Sequence, residues 1–395
     1  MDSAVDGTRR TATLANWQQP PYNRWSFLHV REMVPTARIA PAAAGEARKL
    51  KRWKRPDIGG LELDTGGARM TLDELVESTF TDGMLVLHDG RVAYERYLNG
   101  MRPDTPHLLM SVSKSITATV TGILVGEGRL TPDTMVPDIV GDLRGSSFEG
   151  CSVRDLLDMR AGTRFNEDYD DPDADIRAAE PVFGWAPRTD PDAPADLRAY
   201  YPTLVNDGEH GGPFRYRSIL TDLLGWVIEE ASGERYAELV SRALWVPMGA
   251  EHEAEVTVDP GGNALADGGI CCTLRDLARF GRLMAEGGRR DGTQIVPAEW
   301  VADTLQPAHD SVAAFEAERE PGLFGPGSYY RNKWWVMDPQ EPIYMGIGIH
   351  GQLLFIHGPA RLVVAKMSTW PESLSDERFG PTVWGCLDLA AKLSE

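Results

Sequence analysis

Residues 83–98 read GMLVLHDGRVAYERYL, two apolar runs joined by Asp89-Gly90. Asp-Gly between β-prone runs is a strong hairpin signal, because a tight two-residue turn needs positive φ at both positions. A matching pair stands near the other end, LLFIH (353–357) and RLVVAKMST (361–369), joined by Gly358-Pro359-Ala360. Between the two the period changes. Val112, Ile116, Val120, Ile123 and Leu124 recur at helical spacing within 111–125, and the apolar residues of 152–159, 218–231, 236–244 and 273–286 follow suit. A last helix is expected over 383–393. Strands at both ends with helices between predict an α+β chain: a discontinuous sheet domain from 1–110 and 270–395, antiparallel and flanked by helices, with a mainly helical domain over 111–269 inserted. Residues 1–60 show no period and read as an irregular wrapping arm. Its basic run, Lys49, Lys51, Arg52, Lys54 and Arg55, reads as a solvated surface loop.

The composition is that of a globular protein: 395 residues, 42% hydrophobic and 25% charged, enough to bury a sizeable core. Net charge is −19, which argues against nucleic acid or an anionic membrane as partner and suits a small cationic substrate. No run reaches the roughly 18 apolar residues of a membrane span. The N-terminal stretch has no apolar core of a secretory signal. Cys151, Cys271, Cys272 and Cys386 have no metal-ligand or disulfide-framework spacing. A cytoplasmic protein with reduced thiols is the expectation.

Several chemistries fall away on spacing. There is no P-loop, no H-E-x-x-H and no G-x-S-x-G. Gly346, Gly348 and Gly351 form a G-x-G-x-x-G, but the run after it reads as strand where a dinucleotide site needs a helix. The acidic stretch 166–175, NEDYDDPDAD, lacks the glycine and the terminal glutamate of a calcium loop. The eight histidines show no ligand spacing.

What remains is Ser111-Val112-Ser113-Lys114 at the start of an apolar helix. Residues three apart share a helix face, so the hydroxyl and the amine can meet. A serine is a poor nucleophile until a base takes its proton, and a lysine serves only if its pKa is lowered. Backbone N–H groups at the helix start favour an oxyanion. Tyr216, just before another amphipathic helix, is a candidate proton carrier, although a buried tyrosine with a bonded hydroxyl reads the same way. The glycines of GIGIHG (346–351) would let a substrate lie along a strand edge.

Together these residues resemble the three motifs of the penicillin-recognising serine hydrolases, the superfamily of serine β-lactamases and family VIII carboxylesterases. Within it, WQQPPYNRWSFLHVREMVP (17–35), HLLMSVSKS (107–115), FNEDYDDP (165–172), the stretch around Tyr216 and GIGIHGQ (346–352) resemble the 6-aminohexanoate-dimer hydrolases, nylon-oligomer amidases with carboxylesterase activity. The resemblance runs over nearly the whole chain. It implies a β-lactamase-like fold and a serine hydrolase that cleaves small amides and esters through an acyl-enzyme. Ser111 is implied as nucleophile, Lys114 as its base, Tyr216 as proton shuttle, and the N–H groups of Ser111 and Ile349 as oxyanion hole. Tyr169 is implied as a substrate-gating residue, Trp335 as a wall of the cleft, and Gly346 and Gly348 as substrate-binding positions. No metal or organic cofactor is implied.

The chain also departs from the superfamily. It has Gly346-Ile347-Gly348 where many β-lactamases have Lys-Thr-Gly, and Ser218 ends the tyrosine motif in place of Asn. Efficient β-lactam hydrolysis is therefore not expected. Glu180 and Asp267 are candidates to pair with a substrate ammonium, or else are exposed loop carboxylates. A promiscuous short-chain carboxylesterase, a D-amino-acid amidase or peptidase, and a silent ligand-binding relative stand as alternatives. The oligomeric state stays open, a homodimer among the options.

Overall fold

The computed structural model describes residues 11–53, 58–306, 308–319, 322–338 and 340–395. The first ten residues of the arm, and Lys54 and Arg55 of the basic run, lie outside the described residues.

Both hairpins form. Asp89 and Gly90 take φ of 52° and 68°, as the turn between Thr81–His88 and Arg91–Tyr97 demands. They belong to one large sheet whose strands are β1 (Lys51–Arg52), β2 (Thr81–His88), β3 (Arg91–Tyr97), β4 (Tyr329–Arg331), β5 (Trp334–Asp338), β6 (Ile343–Gly348), β7 (Gln352–His357) and β8 (Leu362–Ser368). The order is β4-β5-β6-β7-β8-β2-β3-β1, so the two hairpins lie edge to edge, with Val364 opposite Val86. All neighbours run antiparallel except β1 and β3, which pair in parallel. Lys51 and Arg52 thus form a short edge strand, where the sequence suggested only a loop.

Every residue of β2 is buried, because helices cover both faces of the sheet. Leu85 and Leu87 face α4 (Leu274–Ala285); Met84 and Val86 face α5 (Asp376–Ser394). On α4, a Cβ at Gly281 would lie 2.6 Å from Val363 Cγ1, so the glycine lets helix and sheet close up. α5 starts before its expected Val383, with Pro381 inside its first turns. Proline there forfeits one helical hydrogen bond, the one from residue 381 back to the Glu377 carbonyl.

The described strands of the large sheet all come from 51–97 and 329–368. Between them lie α1 (Val112–Gly126), α2 (Asp175–Phe183) and α3 (Ile219–Ser232). The helix expected over 152–159 is a short one, Val153–Leu157, closed by a capping box of Ser152 and Asp155. A second sheet of four strands joins Thr36–Ile39, Ala254–Thr257, Ile270–Cys272 and His107–Leu108. The arm therefore contributes a strand, and Trp17 and Phe27 sit fully buried, with Trp17 Nε1 donating to the Trp185 carbonyl at 2.8 Å. The arm is anchored by its aromatic side chains, which bury too much area to stay in water. No helix among the described residues is long and apolar enough to cross a membrane.

Candidate active site

Two residues past the strand His107–Leu108, Met110 is held at φ 47°, and the chain turns directly into α1. A left-handed methionine costs roughly 1 kcal/mol or more and persists only where its surroundings fix it. Here the Leu109 N–H bonds the Ile270 carbonyl, and Val112 N–H bonds back to Leu109. Ser111 is at the N-cap position, yet its φ and ψ are already helical and its hydroxyl caps nothing. That hydroxyl instead accepts a hydrogen bond from Lys114 Nζ at 2.8 Å, the contact that their spacing along the helix allows.

Lys114 is 1% exposed. Its ammonium also donates to Ser218 Oγ at 2.8 Å and to the Asp267 carbonyl at 3.2 Å, and the Asp267 carboxylate lies 3.6 Å away. Burial opposes its charge, but Tyr216, Asp267, Glu167 and Asp222 together hold its pKa above the ordinary lysine value. The sequence reading required a depressed lysine pKa; the structure reverses the direction. Acidic groups from three separate segments converge on the amine, and their attraction outweighs its desolvation.

Tyr216 is half-buried. Its hydroxyl reaches both Ser111 and Lys114, and its ring lies 5.2 Å from Lys114 Nζ. Burial pushes the phenol pKa up while Lys114 pulls it down, and the upward push wins. Behind it stand Ser218, noted in the sequence only as a departure from Asn, and Glu167, which the sequence reading did not single out. Ser218, before the first turn of α3, donates its hydroxyl to Glu167 Oε1 at 2.5 Å, and its backbone N–H bonds Glu167 Oε2. A carboxylate at a helix N-terminus meets both free N–H groups and the positive end of the dipole. Tyr169 donates to the same Glu167 Oε1 at 2.6 Å. The sequence signal was present: Glu167 and Tyr169 share the acidic stretch set aside as a failed calcium loop.

Ser111 opens onto a cavity of about 400 Å³ lined also by Tyr169, Arg177, Glu180, Asp267, Ile349 and His350. Gln18 and Gln19 of the arm complete one side; the sequence reading had that stretch only as part of the resemblance, with no role for either residue. Glu180 lies on the wall but is not free: Arg177 Nη1 is 2.8 Å from its carboxylate, and Gln18 bonds it too. Arg177 also donates to the Tyr169 carbonyl at 2.6 Å and lies 5.8 Å from the Tyr169 ring centroid. Asp267 is engaged with Lys114, and its N–H donates to the buried Asp222 carboxyl at 2.9 Å. Both candidate carboxylates for a substrate ammonium thus have partners within the chain.

Three further expected site residues support the site's walls. Trp335 stacks on Tyr216 with ring centroids 5.6 Å apart, backed by Phe214 and Phe324. A Cβ at Gly346 would sit 3.0 Å from Ser115 Oγ, and one at Gly348 only 2.7 Å from the Leu109 carbonyl and 3.0 Å from Ser111 N. The glycines let β6 lie against α1, which brings residue 349 beside Ser111. Side chains there would push the two apart.

A family model described as beta-lactamase matches residues 69–385. The 6-aminohexanoate-dimer hydrolase of Paenarthrobacter ureafaciens is 40% identical over 364 residues, covering 91% of this chain and 88% of that one. A solved structure described as a 6-aminohexanoate-dimer hydrolase from Bacillus anthracis shares the fold, with a TM-score of 0.86 over 98% of each chain at 24% identity. A D-stereospecific amidohydrolase from Streptomyces sp. shares it more distantly, with a TM-score of 0.55 over 77% of this chain and 94% of its own, at 20% identity. The chain belongs to the β-lactamase family of serine hydrolases, in the group of the 6-aminohexanoate-dimer hydrolases.

Proposed function

We propose that this enzyme hydrolyses small linear amides and esters, the linear dimer of 6-aminohexanoate among them, through an acyl-enzyme on Ser111. One observation supports the reading above others: Ser111 Oγ lines the cavity while bonded to a lysine that is 1% exposed. In this mechanism Ser111 attacks the carbonyl carbon and its proton passes to Lys114. The N–H groups of Ser111 and Ile349 hold the oxyanion, each worth about 3 kcal/mol in comparable sites. Tyr216, within reach of Ser111 and Lys114, protonates the leaving amine or alcohol. Water then takes the place of the leaving group, and the same residues act in reverse to release the acid.

A substrate ammonium would compete with Arg177 for Glu180, so recognition at that end is an exchange of partners rather than the filling of a vacant charge. Four buried, unpaired cysteines suit work in a reducing cytoplasm.

The test is incubation of the purified protein with the linear dimer, measuring new free amine, with Ser111→Ala alongside. Release that depends on Ser111 supports the amidase. Cleavage of p-nitrophenyl esters without amine release assigns an esterase on the same residues. Activity toward both that survives Ser111→Ala removes Ser111 from its role.

A further inference from the structure

Lys114 makes three donor contacts: to Ser111 Oγ, to Ser218 Oγ and to the Asp267 carbonyl. The acidic groups around Lys114 favour its ammonium form, which has no lone pair with which to accept the Ser111 proton. The mechanism just proposed, on which this inference rests, therefore needs a path by which Lys114 gives one proton away, and a group to receive it.

The three acceptors are not equivalent. The Asp267 carbonyl has no proton to pass on, and Ser111 is the group being activated. Ser218 is different, because its hydroxyl accepts from Lys114 and donates onward to Glu167. The hydrogen bonds run unbroken from Lys114 Nζ to Ser218 Oγ at 2.8 Å and from Ser218 Oγ to Glu167 Oε1 at 2.5 Å. The Asp267 carboxylate is the rival receiver, but at 3.6 Å it stands beyond a hydrogen bond. Tyr216 carries its own phenolic proton, which burial helps it keep.

We propose that Glu167, acting through Ser218, receives the proton that Lys114 must lose before Ser111 attacks. The Nζ–H bond of Lys114 breaks as a bond forms to Ser218 Oγ, and the original Ser218 proton moves to Glu167 Oε1. Ammonium and carboxylate become amine and carboxylic acid, with net charge unchanged and no other reactant. The freed amine then takes the Ser111 proton. Burial lowers the cost of this exchange, since desolvation penalises both charges of the ion pair. In the same sense, desolvation raises the Glu167 pKa above the ordinary glutamate value. Tyr169 and the Ser218 N–H keep the carboxylate oriented. Glu167 is thus a positioning residue for the proton inventory of Lys114.

Other charged and titratable groups face the relay. Tyr216, Asp222, Asp267 and Lys333 act on Lys114. Tyr169, Arg217 and Tyr330 surround Glu167. The test must therefore read the shape of a pH profile, not a single rate.

The rate of Ser111 labelling by a fluorophosphonate, with p-nitrophenyl ester hydrolysis beside it, is followed from acid to alkaline pH. The wild type is expected to level off once the Lys114–Glu167 pair holds a single proton. Glu167→Gln has no receiver: its rate at neutral pH falls by about 10²-fold and keeps climbing with pH until the lysine loses its proton to water. Ser218→Asn retains hydrogen bonds to both neighbours but cannot relay a proton, and shows the same alkaline shift. Glu167→Asp keeps a carboxyl and retains a plateau. A Glu167→Gln profile that superimposes on the wild type after scaling overturns the proposal, and so does a shift produced by Asp267→Asn alone. If Glu167→Gln does not fold, Ser218→Asn decides by the same criterion. Labelling that persists in Ser111→Ala is a separate result, which would overturn the hydrolase reading itself.

Discussion

Lys114 and Lys366 are equally buried, each 1% exposed, and each donates to serine hydroxyls, yet they titrate in opposite directions. Lys114 sits among Tyr216, Asp267, Glu167 and Asp222 and is held above the ordinary lysine range. Lys366, on β8 between two helical layers, is brought down to about 7 by burial, with only Asp82 and Cys386 pulling the other way. Lys333, behind the site, is also lowered by burial and by the charge of Lys114. Burial alone therefore frees a lysine's neutral amine near pH 7. The cavity does something else: it surrounds its lysine with acids and supplies a path for the proton to leave. A Ser/Lys pair is a reacting pair only where such a path and an open cavity coincide.

The sharpest break of this comparison is Ser111→Ala, expected to lower acyl transfer by about 10³-fold or more, measured as ester hydrolysis. Lys114→Arg should be nearly as damaging, because guanidinium stays charged and cannot serve as base. If it keeps most of the activity, the base assignment is wrong. Tyr216→Phe should cost about 10²-fold, and more for amides than for esters, since amine leaving groups need the proton. On the other lysine the sign inverts. Lys366→Met should leave turnover intact and raise stability at pH 7 by about 2 kcal/mol, as the charge burial of about 4 kcal/mol is relieved and the contacts to Ser368 and the Trp370 ring are lost.

The pH dependence sharpens this. A lysine whose folded pKa is about 7 against an unfolded value of 10.5 leaves the unfolded state holding more protons between those values. Wild-type stability then rises with pH across that window, and the advantage of Lys366→Met shrinks by about 2 kcal/mol between pH 7 and pH 9 in denaturant unfolding. A gap that stays constant would refute the assignment. His350 gives the acid-side counterpart. Its pKa is lowered from 6.5 to about 4 by burial, so the unfolded state binds the proton first as pH falls. About 3 kcal/mol should be lost between roughly pH 6.5 and pH 4, and His350→Asn, which tolerates the φ of 59°, should flatten that loss.

The chain's local signals were enough for the hairpins, the helices and Ser111-x-x-Lys114, because a tight turn, a period and an i, i+3 spacing are properties of neighbouring residues. For Tyr216 they left two readings open, and its role came only from the resemblance. Glu167 and Ser218 were not legible in the same way. They are 51 residues apart in sequence and meet only when the acidic stretch folds over the start of α3. The resemblance implied Trp335 and the two glycines for the cleft, but a motif says nothing of what each residue touches. The structure uses the tryptophan to back Tyr216 and the glycines to seat β6 against α1.

By itself the sequence determined which residues could react and which segments would be strand or helix. Tertiary structure alone decided the acidic surroundings of Lys114, the pairing of Glu180 with Arg177 and the hydrogen bond from Ser218 to Glu167. The reason is physical: electrostatic fields and proton paths depend on distances between groups that the chain brings together only on folding, and a few ångströms there outweigh any spacing along the sequence.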